Sequence, residues 1–277
     1  QADYCVYCHE KDDDFCSTGF PVKKHTDQGV RKNVLDVSLR GCPLDEKISE
    51  MNMLRDLGYV IAALAAITID NPLCALTGHR ICNDCMLSCI YQKQDPVNIP
   101  QIETSVLKDI LKLPYGVEIY LLLIRWNPLR IKQWLPQPFN GKSVAVMGTG
   151  PAGIAMSHHL LMEGCAVVAM DGLKVEPLDS QLLHTPVKYY QDIYQDLAER
   201  TIYGFGGVSE YGITSRWDKN FLLLIYMSLQ RRQYFSLIGQ VRFGGNFVIA
   251  DAKRLGFQHV CIAVGAGLPK ELPILNS

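Results

Sequence analysis

The chain has 277 residues, long enough for two modest domains that each bury a core. Its formal net charge is −1 and it has no long basic run, which leaves no electrostatic footprint for nucleic acid. The longest apolar stretches, 59–69 and 221–227, are too short to span a bilayer and read as buried helices, so no membrane partner is expected.

No signal peptide is visible, and the chain opens on Gln1 rather than Met; the expectation is a fragment of something longer. Eight of the ten cysteines fall in the first third: Cys5, Cys8, Cys16, Cys42, Cys74, Cys82, Cys85 and Cys89. Such clustering favours metal ligation over a disulfide framework or a set of small buried hydrophobes, and suits reduced thiols in a cytoplasm. Soft thiolates serve both zinc and iron–sulfur clusters, and on ligand chemistry both metals stay open. The C-x-x-C pairs Cys5/Cys8 and Cys82/Cys85 would suit two zinc ribbons but leave Cys16, Cys42 and Cys89 partly unexplained.

In chain order, residues 1–41 are polar and glycine-punctuated, with no sustained period, so ligation is a plausible source of their order. Pro43 suits the first turn of a helix continued by Ile48, Met51, Leu54 and Leu57 at i+3 steps. Gly58 interrupts it before the alanine-rich segment 59–69, and Asn71-Pro72 and Gly78 force breaks. Cys82, Cys85 and Cys89, at i, i+3 and i+7, predict a helix over 82–92 with three thiols on one stripe. Further helices are expected over 103–111 and 117–124.

Pro128, Pro136, Pro138 and Gly141 mark a linker over 127–141, between a first domain of 1–126 and a second of 142–277. The run 143–147 reads as a buried strand, and Gly148, Gly150 and Gly153 form G-x-G-x-x-G opening a helix to about 163. A second strand over 165–170 ends at Asp171. That order suits a dinucleotide: Gly148 for the tight turn, Gly150 for backbone approach to a pyrophosphate, Gly153 for helix packing, and Asp171 for ribose hydroxyls. The glycines alone do not separate FAD from NAD. His158-His159 read as one exposed and one packed helix residue, Cys165 and Cys261 as core thiols, and Arg231-Arg232 as a solvated helix end.

The C-x-x-C at Cys5–Cys8, the GCPL at 41–44, the TGHRIC at 77–82 and the PVNIPQIE at 96–103 together resemble the cluster-binding domain of the glutamate synthase small subunit, which also opens dihydropyrimidine dehydrogenase. The resemblance implies a helical fold with two [4Fe–4S] clusters: one on Cys5, Cys8, Cys16 and Cys89, the other on Cys42, Cys82, Cys85 and Glu103. It departs from the family in the 25 residues between Cys16 and Cys42, which read as an inserted surface loop, and gives Cys74 no ligand role.

The GPAG form (Gly150, Pro151, Ala152, Gly153), the GFGGVSEYGITSRWDK at 204–219 and the HVCIAVGAG at 259–267 are similar to the same family's flavin-binding part. FAD would then lie against Gly148–Gly153, Asp171, Gly206, Gly207, Tyr211, Gly212 and Gly265, with Trp217 as a shield or core residue. The implied architecture is α followed by α/β: a helical cluster domain, then an incomplete Rossmann-like flavin domain. The implied activity is a NAD(P)H-dependent oxidoreductase in the cytoplasm, passing electrons between a nicotinamide, FAD and the clusters. The NADPH or NADH site would lie in the remainder of the polypeptide or a partner subunit. A non-catalytic, metal-stabilised scaffold that binds a nucleotide is the competing expectation.

Overall fold

A computed structural model describes residues 2–23, 29–78, 82–131, 135–173, 175, 178–196 and 218–265. The chain divides into two compact units, one built from the described residues of 1–136, 179–200 and 213–228, the other from those of 137–178 and 229–277.

The first unit is helical. Before residue 48 its described residues hold short 3-10 turns, a one-turn helix α1, Phe15–Thr18, and the antiparallel bridges Pro21–Val30 and Lys32–Ser38. Pro43 lies in a turn rather than a helix; helix α2 begins at Ile48 and runs to Asp56. Gly58 separates it from α3, Val60–Asp70, and a single turn α4, Cys74–Thr77, follows the Asn71-Pro72 break. The predicted helix over 82–92 is reduced to one turn, α5, Asp84–Leu87. Asn, Asp, Cys and Ser dominate this stretch, have weak helix propensity and favour turns. The hydroxyl of Ser88 instead accepts the backbone N–H of Gly41 at 2.9 Å, tying the segment to the Cys42 loop.

Helix α6, Ile99–Leu111, starts four residues earlier than its pattern suggested, because Pro100 fits the first turn. Its Ile99, Ile102, Val106, Leu107 and Ile110 form one buried stripe. Helix α7 is Gly116–Leu123. Ile48, Met51, Leu64, Ile67, Leu107, Ile110, Tyr120 and Ile124 are fully buried and fill the space between α2, α3, α6 and α7. The described residues between Cys16 and Cys42 leave and return at one place: Phe20 N–H donates to Leu39 O at 2.9 Å and Cys42 N–H to Cys16 O at 2.8 Å. The inserted segment therefore leaves Cys16 and Cys42 adjacent.

The second unit is a four-stranded parallel sheet flanked by helices. Strand β1, Ser143–Met147, has the bounds its apolar run predicts; helix α8 is Pro151–Met162 and strand β2 is Ala166–Met170. After α9 (Ser180–His184) and α10 (Asn220–Gln230), which belong largely to the first unit, come β3, Phe235–Ile238, helix α11, Ile249–Arg254, and β4, His259–Ile262. The order is β3-β2-β1-β4, with Met147 in register with Met170 on one side and Ile262 on the other. Ala145, Met147, Met170, Phe247 and Ala252 make the core beneath it. Helices and a small parallel sheet give an α/β character to this part of the chain. Among the described residues no helix is long and apolar enough to cross a membrane.

Candidate functional site

All ten cysteines are free thiols. Four of them line one recess in the first unit: Cys5, Cys8, Cys16 and Cys89. The C-x-x-C reaches it through a sharp turn at Tyr7, whose φ of 48° is left-handed, a conformation that costs a non-glycine residue about 1 kcal/mol or more. Cys16 comes from α1, and Cys89 from the turn after α5. The remaining wall is largely apolar, with Ile48, Val97 and Ile99. Burial pushes the Cys8 thiol up, with Cys5 and Cys89 adding to it. Burial also raises Cys16, followed by the Asp14 carboxylate, to which its Sγ donates at 3.2 Å. The four thiols thus share one field although they come from sequence positions 84 residues apart.

A second group gathers Cys42, Cys82, Cys85 and Glu103. Burial raises the Cys85 thiol well above its ordinary value, with Cys42, Cys82, Glu103 and Glu46 adding to it in that order. Cys42 is pushed up to about 11 by burial and by Glu46, while backbone hydrogen bonds from Glu46 and Leu44 pull it back. Cys82 is likewise raised by burial and lowered by a backbone hydrogen bond from Asp84. These backbone hydrogen bonds offset part of the effect of burial, and all three thiols remain raised. Gly41 permits this close wrapping, since a Cβ there would lie 2.5 Å from the backbone of Gly19 and Ser17. The hydroxyl of Ser17 donates to the carbonyl of Glu46, closing the same loop.

Glu103 is buried, and its Oε1 accepts from Asn71 Nδ2 at 2.7 Å; Asn71 Oδ1 in turn accepts the Thr77 hydroxyl at 2.7 Å. Burial raises its carboxyl well above the ordinary range, and Glu46 adds to the effect. Glu46, raised to about 7 chiefly by burial, is a second carboxylate at this group that the sequence did not single out. Cys74 is buried beside the pair, its thiol raised by burial first and then by Glu103 and Glu46. Among the described residues no three His, Cys, Asp or Glu side chains converge closely enough to hold one metal ion.

In the second unit the glycine turn joins β1 to α8. Gly148 has a φ of 98°, and a Cβ there would lie 2.3 Å from Ala263 O, at the end of β4. A Cβ on Gly153 would lie 1.9 Å from Gly148 O. Both positions are sterically closed to any other residue, as a phosphate-binding turn requires. Pro151 and Ala152 open α8 behind Gly150. Asp171 stands at the end of β2, but its carboxylate is turned onto the glycine turn. Its Oδ2 accepts Thr149 N–H and Thr149 Oγ1, both at 2.8 Å, and its Oδ1 accepts Leu173 N–H at 2.9 Å. Gly265, with a φ of 80°, lies just beyond β4. Gly206, Gly207, Tyr211, Gly212 and Trp217 lie outside the described residues. His158 is buried and His159 exposed, an edge-to-face pair with centroids 5.2 Å apart.

No protein-family model matches the chain. It is 52% identical over 202 residues to the uncharacterized protein RP006 of Rickettsia prowazekii, covering 73% of this chain and 28% of that protein. It is 29% identical over 132 residues to the glutamate synthase [NADPH] small chain of Mycobacterium tuberculosis, covering 47% of this chain and 24% of that one. Over 133 residues it is 32% identical to the glutamate synthase [NADPH] small chain of Bacillus subtilis, with the same 47% and 24% shares. The chain spans about a quarter of the length of these relatives, and its similarity to glutamate synthase small chains is distant and partial.

Proposed function

We propose that the chain is a module of an iron–sulfur flavoprotein oxidoreductase that moves electrons between a reduced nicotinamide, FAD and two [4Fe–4S] clusters. The nicotinamide site, for NADPH or NADH, would lie outside this chain, in further polypeptide or a partner subunit. The observation that carries the reading is the recess that gathers Cys5, Cys8, Cys16 and Cys89. Four soft thiolates on one recess suit an iron–sulfur cluster or zinc. The distant similarity to glutamate synthase small chains supports the same class of chemistry.

When bound, clusters and flavin supply the one-electron and hydride chemistry. The chain's own residues would hold, orient and shield them. Cys5, Cys8, Cys16 and Cys89 would ligate one cluster; Cys42, Cys82, Cys85 and Glu103 the other. The raised thiols of Cys8, Cys16, Cys42, Cys82 and Cys85 must each release a proton on ligation, so uptake is favoured by rising pH. In the second unit the backbone of Gly148–Gly153 and the start of α8 would receive the FAD pyrophosphate. Asp171 acts there first as the brace of the turn. A ribose hydroxyl would have to share its carboxylate with three protein donors.

The test is the absorption spectrum and metal content of the chain purified without oxygen, reconstituted with iron and sulfide, and offered FAD. The expected result is overlapping cluster and flavin absorption, with cluster absorbance bleached by dithionite. A colourless protein with stoichiometric zinc would instead support the metal-stabilised scaffold.

A further inference from the structure

Helix α2 turns four residues inward: Ile48, Ser49, Met51 and Asn52. Ser49 and Asn52, one turn apart, both line the cysteine recess, and they differ in how their polar atoms are satisfied. Ser49 Oγ is engaged by His9, at 2.7 Å from Nδ1 and 3.3 Å from the backbone nitrogen. Asn52 is 1% exposed, and neither its Nδ2 nor its Oδ1 has a hydrogen-bond partner. An amide is expensive to bury in that state, and a chain does so where something else meets it. The remaining wall offers little that does: Ile48, Val97 and Ile99 are apolar, Ser49 is engaged by His9, Tyr91 makes no hydrogen bond to Asn52, and the other functional groups there are the thiols.

We infer that Asn52 is a positioning residue for the iron–sulfur group of this recess, its amide N–H groups donating to sulfur of the group that Cys5, Cys8, Cys16 and Cys89 hold. The inference rests on reading the recess as a cluster site. Hydrogen bonds to cluster sulfurs favour the more negative, reduced state, so they raise the reduction potential. The amide thus raises the potential of this cluster relative to the other and biases electrons toward it. Asn52 does not belong to the Cys42, Cys82, Cys85 and Glu103 group, which serves as an internal control.

The test compares the parent 277-residue chain, Asn52→Leu and Asn52→Ser after anaerobic reconstitution. Iron is counted, and each cluster's potential is read by dithionite titration with paramagnetic resonance detection. Leu keeps the volume without a donor; Ser keeps one hydroxyl donor. Full iron content in Asn52→Leu is expected, with one cluster's oxidised-to-reduced ratio at fixed potential raised about tenfold, equivalent to about 59 mV for one electron. Asn52→Ser should fall between it and the parent. If Asn52→Leu loses that cluster, retention in Asn52→Ser still supports a donor role, and loss in both overturns it. Unchanged potentials with full iron also overturn it, leaving Asn52 to an internal water. A parent chain that takes up no iron overturns the cluster reading itself, and is distinguished by the count before any variant is compared.

Discussion

Asn71 donates its side-chain N–H to Glu103 across 2.7 Å, in a region where both residues are buried. One carboxylate oxygen is thereby fixed, and on the proposed reading the carboxylate completes the second cluster. An oxygen ligand is harder than thiolate, so the cluster it completes should be electronically distinct from its all-cysteine neighbour. Glu103→Ala should perturb only the cluster held by Cys42, Cys82 and Cys85. Asn71→Leu should shift the same signal without touching the other. Matching iron contents and paramagnetic spectra in parent and variants would reduce Glu103 to a buried structural acid.

The paired carboxyls also set a pH dependence for the metal-free chain. Burial raises Glu103, and raises Glu46 from an ordinary 4.5 to about 7, so the folded state holds a proton that the unfolded state releases. A raised carboxyl pKa makes stability fall as pH climbs from the unfolded to the folded value. Thermal unfolding of the metal-free chain should therefore show a loss of about 2–3 kcal/mol between pH 4.5 and 7. Glu46→Gln should flatten that slope. A metal-free chain that gains stability over this interval would contradict the burial seen at Glu46.

The glycine turn gives a steric prediction. Gly153→Val drives side-chain atoms into Gly148 O and should cost about 2 kcal/mol or more of stability while abolishing FAD retention. Gly172→Ala, whose Cβ would meet only Arg242 at ordinary contact distance of 3.8 Å, should be tolerated. Fluorescence quenching on FAD addition measures retention, and equal affinity in both variants would move the flavin away from this turn.

Parts of this architecture were legible because local physics dictates them. The apolar run 143–147 could bury nothing as an exposed loop, and it is β1 with those bounds. The alanine-rich segment gives α3, and the i+3 stripe of Ile48, Met51 and Leu54 gives α2, for the same reason. The helix expected over 82–92 is a single turn because cysteine spacing alone does not make a helix, and Asn83, Asp84 and Ser88 between the thiols favour turns. Strand β3 and helix α11 are short and weakly patterned, and went unseen. Asn52, Glu46 and Asn71 are polar, and their burial is a property of the packed helices that no local sequence pattern records. Asp171 was recognised by position, but the direction of its carboxylate, inward onto Thr149, is a tertiary fact.

The central claim is that two separate thiol groups hold two clusters, and an iron and sulfide count on cysteine variants tests it most directly. After anaerobic reconstitution the parent chain should hold about eight irons, as two [4Fe–4S] clusters require. Cys89→Ser and Cys85→Ser should each remove about half of them, from different clusters by paramagnetic resonance, and the double variant nearly all. Cys74→Ser should leave the count unchanged. Zinc at stoichiometric level without iron, or an iron count indifferent to Cys85 and Cys89, would contradict the account.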